Sequence, residues 1–190
     1  MSSNILYAGA FGSGVYKSTN NGLTWINQRV GITNSYVRSV YVLNDNTVFI
    51  GTNDGLCKTT NGGSSWVLSL ATLNSVSSID YDVSTNSLYA ATYGTGLYKS
   101  TDQGASWTPL NVFDPVTNQT LFHQWVVKVY AGNSLYVGGL ITEIDSGSSL
   151  FRSVNGGSSW SQVQRGLGIR SSVHSISLDP ANPTTGLIIG

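Results

Sequence analysis

Charged side chains are scarce in this chain of 190 residues. Only 9% of residues are Asp, Glu, Lys or Arg, against about 25% in typical soluble domains. Nine basic and nine acidic residues give a formal net charge of zero, and Glu143 is the only glutamate. Nucleic-acid binding depends on clustered Lys and Arg that face phosphates. The scattered, balanced charges therefore argue against a nucleic-acid partner.

Cysteine and long apolar runs are also missing. A single cysteine, Cys57, excludes an internal disulfide framework and any zinc site built from several thiolates. No apolar run reaches the roughly 18 residues of a membrane helix, so membrane insertion is not predicted. Residues 1–15 lack the basic start and apolar stretch of a signal peptide. His123 and His174 have no neighbour at metal-ligand spacing, so we predict neither a metal nor a cofactor.

Gly, Ser, Thr and Asn supply the polarity instead, and they recur in a repeat. Four segments align without gaps, and each ends in a tryptophan; the tryptophans are 41, 41 and 53 residues apart. A period near 41 is typical of β-propeller blades. The aligned segments are 15–25, 56–66, 97–107 and 150–160.

Short segments rich in β-branched and aromatic residues surround each copy, and Gly, Asn or Asp bound them. Such segments predict four short antiparallel strands per repeat, A to D, and no segment predicts a helix. We therefore predict an all-β fold, a β-propeller of four-stranded antiparallel blades. The repeats cover about 1–42, 43–82, 83–130 and 131–178, with an extra strand at 184–190.

The turn predicted between strands C and D resembles the Asp-box, or bacterial neuraminidase repeat, Ser/Thr-x-Asp-x-Gly-x-x-Trp. One copy matches at every position, and the other three carry Asn in place of Asp. The resemblance implies a β-propeller, as in sialidases, xyloglucanase-type glycoside hydrolases, sortilin-type receptors and a photosystem II assembly factor. The matching residues are Ser18, Asn20, Gly22 and Trp25; Thr59, Asn61, Gly63 and Trp66; Ser100, Asp102, Gly104 and Trp107; and Ser153, Asn155, Gly157 and Trp160.

Asn in three of the four copies bears on what the turn does. Asn and Asp can both accept hydrogen bonds from backbone N–H groups in a tight turn. Asn cannot replace a carboxylate in acid–base or nucleophilic chemistry. A structural role is therefore favoured over ligand or metal binding.

Candidate binding residues come from the interval that is 12 residues longer than its neighbours. The extra length falls in a D–A connection, 111–124, and a B–C connection, 140–149, which lie on the face opposite the C–D turns. Aromatic and carboxylate side chains there could hold a sugar, with Glu143 as a possible general acid; the alternative is an ordinary solvated loop. The candidates are Phe113, Asp114, His123, Trp125, Glu143 and Asp145.

No catalytic set is recognisable, so no catalytic residue is assigned. The resemblance to sialidases would require three arginines around a carboxylate and a Tyr–Glu pair. The resemblance to xyloglucanases would require two acids facing each other across a cleft. The five arginines show no triad pattern, and the nine acidic residues offer no convincing pair.

Our leading hypothesis is a non-catalytic propeller, extracellular or on a cell or virion surface, that binds a glycan or a protein or serves as a structural component. The alternatives are part of a sialidase- or xyloglucanase-like glycoside hydrolase, and a scaffold similar to the photosystem II assembly factor, which should carry an arginine patch. The chain starts and stops at a B strand. We expect further residues of the same polypeptide, or self-association, to complete the ring.

Overall fold

The computed structural model describes residues 4–72, 74–116, 118–121, 123–130, 133–140, 149–163, 172–179 and 187–189. Every regular element in these ranges is a β-strand, which confirms the predicted all-β fold. Within them there is no helix with the length and apolar character of a membrane span. The chain forms two compact units, residues 1–79 and 80–190.

The first unit contains two antiparallel sheets. One has three strands in the order β1-β2-β3, and the other has four in the order β4-β5-β6-β7. The strands are β1 (Leu6–Ala10), β2 (Gly14–Ser18), β3 (Ile26–Asn27), β4 (Val37–Val42), β5 (Val48–Thr52), β6 (Gly55–Thr59) and β7 (Val67–Ala71).

The second unit contains two four-stranded sheets, ordered β11-β10-β9-β8 and β14-β15-β16-β17, and two two-stranded ladders, β12-β13 and β18-β19. Its first strand, β8, starts a few residues before the boundary between the units. The strands are β8 (Val76–Asp82), β9 (Ser87–Thr92), β10 (Gly96–Ser100), β11 (Thr108–Leu110), β12 (Phe113–Asp114), β13 (Gln119–Thr120), β14 (His123–Tyr130), β15 (Ser134–Leu140), β16 (Leu150–Ser153), β17 (Ser161–Gln162), β18 (Ile176–Leu178) and β19 (Leu187–Ile189).

The strands match the A to D pattern, with two differences. In the third repeat the alternating pattern of the sequence predicts strand A from Val126 to Tyr130. The observed strand, β14, begins three residues earlier, at His123, and pairs with a longer β15. The long connection of 111–124 contains the β12–β13 ladder, where Phe113 pairs with Thr120.

Two of the B strands, β5 and β9, are buried on both faces. Every residue of β5 and of β9 is buried. Sheets covered on both faces carry continuous rather than alternating apolar runs, as residues 48–50 and 88–91 do. Residues of β5 contribute to the apolar core of the first unit, and residues of β9 and β15 contribute to a core of the second.

Small residues in the B strands allow neighbouring blades of one unit to pack closely. A Cβ added to Gly9 would lie 2.5 Å from Cγ1 of Val37 on the next blade. A Cβ added to Gly138 would lie equally close to Cγ1 of Val173. Each glycine therefore leaves space for the first core valine of the following blade. A larger residue at either position would displace that valine.

The repeated basic position of strand C links blades within each unit. Lys17 Nζ donates to the carbonyl oxygen of Gly62 at 2.8 Å and lies 5.6 Å from the ring centroid of Tyr7. Lys99 Nζ makes the equivalent contacts, at 3.3 Å to the Gly156 carbonyl and 5.4 Å to the Tyr89 ring. Each lysine thus joins an aromatic ring of its own blade to the C–D turn of the next.

The C–D turns share one hydrogen-bond pattern. In the turn at 100–107, the Ser100 hydroxyl accepts from the Gly104 N–H at 2.8 Å and donates to Asp102 Oδ1 at 2.8 Å. Asp102 Oδ1 also accepts from the Ser106 N–H at 2.9 Å. Gly104 has a φ of 81°, in the left-handed region that favours glycine.

Asn makes the same contacts, but the donor and acceptor of one hydrogen bond are exchanged. Asn61 Oδ1 accepts from the Ser65 N–H at 3.0 Å, while its Nδ2 donates to Ser65 Oγ at 2.9 Å. At Asp102 the direction is opposite, since Ser106 Oγ donates to Asp102 Oδ2. A serine hydroxyl can donate or accept, so Asp and Asn both fit the turn.

Candidate functional site

Each unit has an aromatic residue in a B–C turn that contacts the start of strand A in the next blade. Phe11 forms an isolated antiparallel bridge with Tyr36, and Tyr93 forms one with His123. The Phe11 and Tyr36 rings meet edge to face, with centroids 4.7 Å apart. The Tyr93 and His123 rings are stacked, with centroids 4.6 Å apart. We call these the junction pairs.

A β-bulge follows each junction pair. The register of β4 against β5 shifts between Val37 and Ser39, so Arg38 is the extra residue. The register of β14 against β15 shifts between Gln124 and Val126, so Trp125 is the extra residue. A bulge leaves its extra residue outside the ladder and redirects the side chain.

In the second unit the bulged Trp125 stacks on His174. Their ring centroids are 3.9 Å apart at an interplanar angle of 21°. His174 is exposed, and it follows Val173, the residue that packs against Gly138. His174 therefore occupies in its blade the position that Arg38 and Trp125 occupy in theirs. The second unit thus carries two stacked aromatic pairs, Tyr93–His123 and Trp125–His174. Tyr93 lies in a B–C turn, and the other three residues lie at the starts of A strands.

The second unit also contains a cavity of about 180 Å³, and its lining includes Gly94 and Gln124, the sequence neighbours of Tyr93 and His123. Three segments and Gln124 form its walls: the turn 94–96, residues 110–112 of the long connection, and residues 120–121. Gln124 is buried, and its Nε2 donates to the Leu121 carbonyl at 3.0 Å. The long connection, which the sequence identified by its extra length, therefore contributes a large share of the wall.

The wall of this cavity is partly polar and partly apolar, and it is uncharged. Thr95, Asn111, Thr120 and Gln124 supply hydroxyl and amide groups beside Leu110, Val112 and Leu121, and no residue of the wall carries a charge. The volume is below the roughly 300–1,000 Å³ of pockets for drug-sized ligands. It suits a single small ring with hydroxyl groups at its rim.

Four of the six predicted binding residues lie on β12 and β14, and the other two lie outside the described residues. His123 and Trp125 are both in β14 and belong to the two stacked pairs. Phe113 is half-buried in β12. Asp114 is buried; its Oδ1 accepts from the Val116 N–H at 2.8 Å and its Oδ2 from the Gln162 N–H at 2.7 Å. Glu143 and Asp145 lie outside the described residues.

Other carboxylates of the described residues also have internal partners. Asp80 accepts from the Val129 N–H at 2.8 Å and pairs with Lys128 Nζ at 3.1 Å. The pKa of the Asp82 carboxyl is lowered: burial acts to raise it, but hydrogen bonds from Ser84 and Thr85 outweigh that effect. Within the part of the chain that the structure describes, no group of three His, Cys, Asp or Glu side chains could hold a metal ion.

Sequence reasoning missed Phe11, Tyr93 and Arg38. Phe11 and Tyr93 each stand directly before a glycine and after a B strand. Extending the repeat alignment by two residues past strand B would have found both. Arg38 was considered only as a member of an arginine triad, and nothing in the sequence marks the bulge that exposes it.

Comparisons with known proteins show what the chain resembles. No protein-family model matches it, and no curated protein sequence matches it either. An ancestral GH74 enzyme matches 94% of this chain at 28% identity, with a TM-score of 0.74. A GH74 enzyme from Niastella koreensis matches 89% at 25% identity with a TM-score of 0.65, and a GH74 xyloglucanase from Xanthomonas campestris matches 92% at 16% identity with a TM-score of 0.68.

This chain spans 25%, 28% and 30% of those three chains respectively. The likeness runs through about nine-tenths of this chain but through less than a third of each neighbour. Together with the four-stranded antiparallel sheets, it identifies the fold as that of a β-propeller, similar in structure to GH74 enzymes.

Proposed function

We propose that the chain is a glycan-binding part of a β-propeller and that it has no catalytic role. The Tyr93–His123 pair and the cavity of residues 94–96, 110–112, 120–121 and 124 form the binding site, which we call the Tyr93 site. Its ligand is a neutral oligosaccharide of the β-glucan class. The observation that carries this proposal is a stacked aromatic pair with an exposed Tyr93, whose sequence neighbours Gly94 and Gln124 line an uncharged cavity.

The ligand class follows from the side chains. A pyranose ring presents C–H groups on its faces and hydroxyl groups on its rim. Tyr93 is 44% exposed and offers a large planar surface for such a face. Thr and Asn hydroxyl and amide groups can both donate to and accept from sugar hydroxyls. The absence of charge from the cavity wall favours a neutral sugar over an acidic one.

The similarity to GH74 enzymes supports a β-glucan rather than another neutral glycan. One neighbour is described as a xyloglucanase. Xyloglucan is a neutral polymer, in agreement with the uncharged Tyr93 site. We also propose that the protein acts at an extracellular, cell or virion surface, since its exterior polarity comes mainly from Ser, Thr, Asn and Gly.

Titration of the protein with xyloglucan oligosaccharides by isothermal calorimetry tests the proposal. Replacing Tyr93 with Ala should weaken binding about tenfold, the equivalent of about 1.4 kcal/mol. Tyr93→Phe keeps the ring and should retain most of the affinity. Val83→Ala, an exposed change elsewhere in the second unit, is the control. Equal affinities for Tyr93→Ala and the unaltered chain would refute the site.

A second candidate is part of a glycoside hydrolase, and the 28% identity with a GH74 enzyme over 94% of the chain favours it. The candidate acids would be Glu143 and Asp145. Release of reducing ends from xyloglucan, lost in Glu143→Gln or Asp145→Asn, would establish this alternative. Binding without reducing-end release is the result expected from the proposed function.

A further inference from the structure

The first unit carries a second polar and aromatic surface, with chemistry different from that of the Tyr93 site. It consists of the junction pair Phe11 and Tyr36, the bulged Arg38, and Asn53 of the next B–C turn. We call these four residues the Arg38 patch. Phe11 is 68% exposed and Tyr36 is 42% exposed.

The guanidinium of Arg38 is held in a defined position. Its Nε donates to Asn53 Oδ1 at 2.6 Å, and its Cζ lies 5.4 Å from the centroid of the Phe11 ring. No described residue accepts a hydrogen bond from its two terminal nitrogen atoms. A guanidinium fixed at Nε and by one face presents those atoms as a fork that matches a carboxylate.

The positive charge of Arg38 has no ion-pair partner among the described residues, where the one salt bridge joins Lys128 and Asp80. Asp54, which follows Asn53 in the sequence, has a different partner. Asp54 Oδ1 accepts a hydrogen bond from Asn34 Nδ2 at 2.5 Å. Asn34 is itself fixed, because its Oδ1 accepts from the Tyr36 N–H at 3.0 Å.

We propose that the Arg38 patch binds a carboxylated sugar, a uronic acid residue of an acidic polysaccharide. One such residue meets both features: its carboxylate pairs with Arg38, and its C–H face packs on the exposed aromatic rings. This proposal rests on the proposed function only in taking the ligand to be a glycan. The two sites then differ in specificity because one carries a fixed cation and the other carries no charge.

Affinity electrophoresis tests the patch with two matched polymers, polygalacturonate and its methyl ester, in which a methyl group replaces the negative charge of each carboxylate. The unaltered chain should be retarded by polygalacturonate and not by the ester. Arg38→Gln should weaken binding to polygalacturonate about tenfold or more. Phe11→Ala should weaken it in the same direction.

Arg152→Gln is the matched control. Arg152 is also exposed, and its guanidinium lies 5.6 Å from the ring of Tyr136. If Arg152→Gln reduced binding as much as Arg38→Gln, the polymer would be binding through charge alone, and the proposal would fail. It would also fail if the ester bound as well as the acid, or if polyglutamate bound through Arg38 with equal affinity.

The two sites can fail separately. Tyr93→Ala should weaken xyloglucan binding and leave polygalacturonate binding unchanged, and Arg38→Gln should do the reverse. Xyloglucan binding without any Arg38-dependent polygalacturonate binding would overturn the inference and leave the proposed function standing. The opposite result would overturn the Tyr93 site alone. Unchanged thermal unfolding of each variant shows that the loss is local.

Discussion

At the scale of single residues, the C–D turns show how a carboxylate and an amide can do one structural job. Asp102 receives hydrogen bonds from the hydroxyl and N–H of Ser106 and from the Ser100 hydroxyl. These bonds hold the pKa of the Asp102 carboxyl well below its usual range. Asn61 fills the same position with no titratable group.

A depressed pKa gives a stability that depends on pH. The ionised Asp102 stabilises the folded state fully above its unfolded pKa of about 3.9, and this contribution disappears as the pH falls toward the folded pKa. We expect Asp102→Asn to unfold at the same temperature as the unaltered chain at pH 7, and to lose less stability on acidification. Thermal unfolding by circular dichroism at pH 7 and pH 3 measures this.

The reverse change provides the control. Asn61→Asp introduces a carboxylate into a turn of the same geometry and should add sensitivity to acid. Equal acid sensitivity of all three proteins would mean that the turn carboxylate does not contribute. Asp82, whose pKa is also lowered, should leave a remaining acid dependence in every variant.

At the scale of elements, the contact between a B strand and the next blade depends on the missing side chain of a glycine. The space at Gly9 is occupied by Val37, with Val40 also within 3.1 Å of an added Cβ. Gly138 is more crowded, since three atoms of Val173 and Val126 would lie within 2.9 Å of an added Cβ.

Filling that space should separate the blades. We expect Gly9→Ala to lower the free energy of unfolding by about 1–3 kcal/mol, as overpacked cores do, and Gly138→Ala to cost more. Urea denaturation followed by tryptophan fluorescence measures both.

A double-mutant cycle identifies the cause. Val37→Ala removes the Cγ1 atom that lies 2.5 Å from the added Cβ, so the double variant should be less destabilised than the sum of the single changes. Strict additivity would mean that the glycine acts through the backbone and not through this contact.

At the scale of the whole molecule, burial rather than charge holds the structure together. One ion pair joins described residues, and the basic positions of strand C contact aromatic rings and carbonyl groups instead. Cys57 is a natural reporter of this burial, because it is 1% exposed in the apolar core of the first unit. Burial, with a smaller effect of the Asp54 charge, raises the pKa of the thiol to about 11.

Cys57 should therefore be protected from thiol reagents in the folded protein. We expect labelling at pH 8 to be at least about 100-fold slower than in urea, because the thiolate is the reactive form and the core must open first. The absorbance change of a disulfide reagent follows the rate. Rapid labelling under native conditions would contradict the buried position of β6.

The sequence predicted the blades well because their strongest signals are local. A turn closed by its own Ser, Asn and Gly leaves a fixed spacing, and the Trp after it repeats that spacing. The site was predicted only in part. Loop length singled out His123 as a candidate, whereas the proposed roles of Phe11, Tyr93 and Arg38 depend on contacts between consecutive blades. A β-bulge has no composition of its own, so the exposure of Arg38 could not be read from its neighbours.

The bulged position is free of the packing requirement that applies to the core-facing positions of strand A. A side chain within a ladder must fit the neighbouring blade, as Val37 fits Gly9. The bulged side chain has no partner across the ladder, and this position holds Arg in one blade and Trp in another. Substitution there can change what the surface recognises without repacking the fold. Libraries randomised at Arg38 and Trp125 alone should therefore yield folded proteins that bind different ligands. In the same way, a duplicated blade could acquire its own binding specificity through a change in a single codon.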